Sequence, residues 1–264
     1  MLSMLRRFGR TFLLLFLLMP LIFSGCVSQK NLPYLQGGNY NTRTPVAADN
    51  APQRYRIQAG DVLSIRVQST QSQLNEAFNT VDTRAVFNGD PGNLYLTGYS
   101  VDDAGNINLP TVGRLKVLGL TVEETQAAAQ QQVARYVRDA NVLVKLLSFK
   151  VTVLGEVRNP GRYFVYNAQC TLLEGLGLAG DLTEFGNRHN VKLIRQTTKG
   201  SEVVLINLTD PALLTSPYFY LLPNDALYVE PLKARTDRGN AGNLALVFSG
   251  ISAVVLILNY LKVF

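Results

Sequence analysis

Hydrophobic positions along the 264-residue chain fall into three textures. Phe12 to Phe23 is an apolar run, and Asn243 to Phe264 carries a single charge at Lys262. Between them, apolar residues come in short alternations broken by Gly, Pro, Asn and Asp. In RYRIQAGDVLSIRV, Leu63, Ile65 and Val67 alternate with Ser64 and Arg66, which predicts strand, turn, strand with Gly60 and Asp61 in the turn. Short strands follow, divided by turns at Asp103-Ala104-Gly105 and around Gly113. Thr121-Val122-Glu123-Glu124 has the spacing of a capping box, so a helix runs from there to about Val137. Val122, Ala129, Val133 and Tyr136 form its packing stripe, and VLVKLL is the next strand.

A second block begins near Phe149. KVTVLGEVRNPGRYFVY predicts two strands around Asn159-Pro160-Gly161, where a type II turn would use the proline and then the glycine. Thr171 to Glu174 repeats the capping-box spacing. Leu172, Leu173, Leu176 and Ala179 make one helical face, with Gly180 as C-cap. VKLIR and EVVLINL read as strands. LLPNDALYVE echoes QAGDVLSIRV, each with an aspartate, Asp225 or Asp61, entering an apolar strand; shared turn chemistry explains the echo. The fold class is therefore α+β, with two small domains at 54–148 and 149–232.

The ends change the picture of location. Arg6, Arg7 and Arg10 precede the first apolar run, which closes on Ser24-Gly25-Cys26. That is the pattern of a lipoprotein signal peptide over 1–25, with Cys26 as the lipid attachment site. Phe23 stands where such signals usually have Leu. Residues 26–53 are rich in Asn, Gln, Pro, Gly and Thr and predict a flexible tether. A linker at 233–242 leads to 243–264, whose 22 residues at ~1.5 Å rise reach ~33 Å, enough to span a hydrocarbon core of ~30 Å. Ala245, Ser249, Ser252, Leu256 and Asn259 recur at helical spacing, a small or polar stripe suited to a pore lining or a helix–helix face.

Charge and chemistry narrow the function by exclusion. The formal charge of +6 becomes +3 without the three signal arginines, leaving 22 Lys and Arg against 19 Asp and Glu. No basic stripe with interleaved aromatics is present, so nucleic acid is not an expected partner. One histidine, His189, is too few for a three-histidine zinc site, and it falls in the polar stretch EFGNRHN, read as a loop. No GxSxG, Walker loop or strand-borne GxGxxG occurs. Cys170 precedes a capped helix, where a thiol pKa can fall, although a packed small residue explains it more simply. The chain is expected not to be an enzyme, with no catalytic residue, metal or cofactor beyond the lipid on Cys26.

The motifs YRIQAGDVLSIRV and GYSVDDAGNINLPTVGRLKVLGLTVEE resemble the opening domain of the polysaccharide export proteins. VTVLGEVRNPGRYFV, TLLEGLGLAG and LLPNDALYV resemble the SLBB β-grasp module that follows it in that family. The resemblance implies an outer-membrane channel for capsular or exopolysaccharide, a homo-oligomeric ring, octameric in family members, and an inner-membrane co-polymerase or tyrosine autokinase as partner. It places the folded domains in the periplasm. The best-known members are longer, with two such modules, and the Gly-Gly usual after the helix is Gly180-Asp181 here. The competing reading is a monomeric, lipid-anchored periplasmic protein that binds a small sugar or peptide.

Overall fold

The computed structural model describes residues 32–38, 40–71, 77–79, 97–197, 200–233, 235 and 246–257. The first domain contains β1 (Val62–Gln68), β2 (Tyr99–Ser100), β3 (Asn106–Leu109), β4 (Gly113–Lys116), α1 (Val122–Val133) and β5 (Asn141–Leu146). Strand β1 lies between β2 and β5, antiparallel to both, while β3 and β4 form a separate hairpin. Alternation places Leu63, Ile65 and Val67 in the core with Ile107, Ala129, Val133 and Val142. Only the second half of RYRIQAGDVLSIRV is strand; Ile57 is fixed instead by backbone bonds to Leu120 and Gly119.

The predicted capping box of α1 is present in both directions. Glu124 N–H donates to Thr121 Oγ1 at 3.2 Å, and Thr121 N–H donates to Glu124 Oε2 at 2.9 Å. The helix ends at Val133, short of Val137, and Tyr136 is exposed while Thr125 is buried in its stead. Two glutamines one turn apart on α1 cover the outer edge of β5: Gln130 accepts from Val142 N–H at 2.8 Å and Gln126 from Val144 N–H at 3.2 Å. Side-chain amides thus replace a missing neighbouring strand.

The second domain contains β6 (Lys150–Gly155), β7 (Gly161–Phe164), β8 (Cys170–Thr171), α2 (Leu172–Leu178), β9 (Gly186–Thr197), β10 (Gly200–Ile206), β11 (Tyr220–Leu221) and β12 (Ala226–Pro231). Its five-stranded sheet has the order β10-β9-β12-β6-β7, with β12 and β6 parallel and the other pairs antiparallel. A small β8/β11 pair stands apart from it. Leu172, Leu176 and Ala179 are buried against Val151, Leu193 and Leu227, as the helical face predicted. The second capping box also closes, with Glu174 N–H on Thr171 Oγ1 at 3.1 Å and Thr171 N–H on Glu174 Oε2 at 2.7 Å. Helix α2 ends in a Schellman arrangement: Asp181 N–H reaches Leu176 O at 2.9 Å, Gly180 N–H reaches Gly177 O at 2.9 Å, and Gly180 has φ +75°.

Two expectations need correction. Gly161 has no positive φ and simply opens β7; the positive φ here falls on Gly155, at +88°, where an added Cβ would lie 2.0 Å from Val229 O of the neighbouring β12. The stretch EFGNRHN is not a loop throughout, because β9 begins at Gly186, held by pairing with Pro231. Among the described residues no helix is long and apolar enough to cross a membrane. Of the segment 243–264, the described part, 246–257, is helical.

Candidate functional site

The two turn aspartates prove to be the same device built twice. Asp61 Oδ2 accepts from Gln58 N–H at 2.9 Å, and Asp225 Oδ2 from Leu222 N–H at 2.7 Å, each across a turn whose third residue, Gly60 or Asn224, has positive φ. Both carboxylates are buried and engaged by side chains. Asp61 accepts from Tyr55 Oη at 2.7 Å and Ser148 Oγ at 3.0 Å. Burial, then the Asp61 charge, pushes the Tyr55 phenol well above its ordinary range. Asp225 is gripped by Arg195, Nε to Oδ1 at 3.0 Å and Nη2 to Oδ2 at 2.7 Å. Burial nevertheless moves the Asp225 carboxyl upward, against the Arg195 and Leu222 hydrogen bonds that lower it. These aspartates are structural.

Arg195 also ties the chain preceding the first domain to the second. Its Nη1 donates to Gln53 Oε1 at 3.4 Å, Asn50 Nδ2 donates to Leu214 O at 2.6 Å, and Tyr220 Oη bonds Asn50 Oδ1 at 3.4 Å. Farther upstream, Leu35 N–H donates to Leu208 O at 3.0 Å and Gln36 N–H to Thr209 O at 2.5 Å. Tyr34 and Leu35 pack on the second core, the Tyr34 hydroxyl donates to Asp181, and the Arg188 guanidinium lies 5.8 Å from the Tyr34 ring centroid. A freely flexible tether over 26–53 is thus corrected for these residues. Two packed side chains, with backbone bonds from Leu35 and Gln36 and the Tyr34 hydroxyl on Asp181, offset the ordering entropy that composition alone suggested would win.

The remaining predicted chemistry is bland. His189 is exposed on β9, its Nδ1 3.2 Å from Thr209 Oγ1. Cys170 is buried, and burial, with the Glu174 charge second, pushes its thiol up to about 11, away from nucleophilic use. No cluster of metal-ligating side chains occurs among the described residues. Cys26, Ala245 and Asn259 lie outside the described residues. Ser249, Ser252 and Leu256 are exposed on the helical stretch 246–257, beside the exposed Phe248, Ile251 and Val255. Each serine hydroxyl donates to its own helix, Ser249 to Leu246 O and Ser252 to Phe248 O, both at 2.8 Å.

The molecule is thus a two-domain α+β protein without an assembled catalytic centre among the described residues, its second domain a mixed sheet closed by one capped helix. The profile of the family described as Polysaccharide biosynthesis/export protein matches residues 49–147, and that of the SLBB domain matches 149–229. The chain belongs to the polysaccharide export protein family. It is 33% identical over 180 residues to the EPS I polysaccharide export outer membrane protein EpsA of Ralstonia nicotianae, covering 64% of this chain and 46% of that one. To the protein of the same name from Ralstonia solanacearum it is 32% identical over 192 residues, 67% of this chain and 48% of the relative. The chain spans about half the length of the curated relatives it matches.

Proposed function

We propose that this protein is a subunit of an outer-membrane channel that exports capsular or exopolysaccharide. The observation that carries the reading is the uninterrupted pairing of an export domain with an SLBB domain, in a chain similar to proteins named for polysaccharide export at the outer membrane. Cys26 carries the lipid, the folded domains lie in the periplasm, and 243–264 crosses the outer membrane. Subunits form a ring, octameric by family resemblance, with the stripe Ala245, Ser249, Ser252, Leu256 and Asn259 toward the axis or a neighbouring helix. An inner-membrane co-polymerase or tyrosine autokinase meets the periplasmic face. The protein itself is passive and performs no catalysis.

Two experiments test this. Particles extracted in mild detergent and imaged should be rings with an open axis; a monomer would refute the channel and favour a binding lipoprotein. Asn259→Leu with Ser252→Leu should impair surface polysaccharide at equal expression, and unchanged export would remove the stripe from the transport path. The serine bonds to Leu246 and Phe248 shift the expected weight to Asn259. A serine satisfied by its own helix turn tolerates apolar surroundings, whereas an asparagine amide has more donors and acceptors than one carbonyl can meet.

A further inference from the structure

The second domain covers one face of its five-stranded sheet and leaves the other open. Val151, Leu193 and Leu227 face α2, and no described element lies over the opposite side. There, pairing lines up Leu205, Lys192, Tyr228 and Leu154 across β10, β9, β12 and β6, with Val203 beside Ile194 in the next row. Val203 is 57% exposed, Leu205 63% and Leu154 45%, an apolar patch of the kind that marks an interaction surface. The outer side of α2 is the domain's opposite surface. Glu174, Gly177 and Leu178 sit there at i, i+3 and i+4, all exposed, and at Gly177 an added Cβ would meet nothing within 4 Å. We infer that the open sheet face of one copy packs on the outer side of α2 in the next copy. The inference rests on the proposed homo-oligomer and assigns the faces that join its subunits.

Charge decides between a second copy's sheet and its helix as the occupant. Lys192 is paired with Glu230 and lies over the Tyr228 ring. Lys150 shares the open face with Leu154 by alternation along β6, and Arg162 joins it through its pairing with Thr152. Among the described residues neither of these two cations is in an ion pair. Two sheet faces in contact would bring them together without a counter-charge, whereas the helix side brings Glu174. It also supplies the second layer that an apolar sheet face requires. Because the two surfaces lie on opposite sides of one domain, the contact runs head to tail, and each copy added leaves one surface of each kind for the next. Such contacts close into a ring when the rotation between copies allows it.

The test uses the full chain in mild detergent, treated with a flexible bis-maleimide. Leu178→Cys with Leu205→Cys in one chain should give a ladder of covalent multimers on denaturing gels, and the two single variants mixed should give dimers. Neither single variant alone should cross-link beyond the parent; dimers from Leu205→Cys alone would show sheet against sheet and overturn the head-to-tail contact. Val203→Glu with Leu205→Glu sets new charges against Glu174 and should raise the concentration for half-assembly on the order of tenfold or more. Both side chains are exposed within one copy, so the urea midpoint should stay near the parent's; unchanged assembly would refute the sheet face as the interface. Particle images read the ring separately. Rings without cross-links between 178 and 205 would overturn these faces and leave the channel standing. Cross-linked chains without a closed ring would uphold the faces and count against the channel, and monomers without cross-links would overturn both.

Discussion

Arg195→Met should unfold the second domain selectively, and the structure sets the scale. Asp225 is 1% exposed and Arg195 is 7% exposed, so the pair is held almost out of water. Methionine keeps much of the volume but removes all three guanidinium bonds to the carboxylate and the Nη2 bond to Tyr220 O at 3.2 Å. What remains for Asp225 is the Leu222 amide. Breaking a buried pair from one side costs about 3–5 kcal/mol, because the surviving charge stays desolvated without its counterion. In a domain of this size, each kcal/mol moves the midpoint by about 4–8 °C, so a loss of at least ~12 °C is expected. The assay is thermal and urea unfolding of the full chain in detergent, followed by circular dichroism. Asp225→Asn in the Arg195→Met background restores a neutral group that can still accept from Leu222, and should recover more than half of the loss. A single-variant cost below about 1 kcal/mol, or additivity in the double-mutant cycle, would refute the claim that this pair holds the β9/β12 turn.

Gly155→Ala should be severely destabilising, since φ is +88° and the new methyl would meet Val229 O at 2.0 Å, whereas Gly60→Ala, at φ +85° with nothing within 4 Å, should cost only about 1–2 kcal/mol; comparable urea midpoints for the two would contradict this. Gln126→Ala with Gln130→Ala strips the amides of Val142 and Val144 of their partners, at about 1–3 kcal/mol each, and opens the β5 edge; light scattering should show concentration-dependent association absent from the parent. The Cys170 thiol is raised to about 11 from an ordinary 9.0, so the folded state favours the protonated form. Its stabilising contribution is complete below pH 9 and is lost as pH rises through 11. Wild type should therefore lose more stability than Cys170→Ala between pH 8 and 11, and parallel pH curves would count against the shift.

Features that the sequence disclosed were those closed within a few residues. Both capping boxes span four positions, and both aspartate turns need only an acceptor three residues past an amide, so residue type at fixed spacing carries the whole interaction. Alternation likewise placed Leu63, Ile65 and Val67 correctly, because β1 has one face on the core. Errors arose where a distant partner decides. Gly155, not Gly161, bears the positive φ because β12 runs parallel beside β6 and brings Val229 O against it, a pairing of segments about 75 residues apart that no local pattern announces. Tyr136 matched the helical stripe, yet the helix stops at Val133 and leaves its ring on Phe78 at 6.1 Å.

The same division governs the N-terminal arm. The segment containing Tyr34 has a composition that favours disorder, and composition sums over residues without regard to what they meet. Its order comes from Asp181 and Leu208, the first 147 positions away, and both acceptors exist only after α2 is capped and β10 has returned along β9. Gly180 is thus a determinant of the N-terminal arm: its positive φ turns the chain so that Asp181 follows the helix, and an added Cβ there would meet Asn159 Nδ2 at 2.9 Å. The aspartate at position 181 supplies the acceptor that Tyr34 uses. A residue that looked like part of a small loop in sequence joins the N-terminal arm to the second domain.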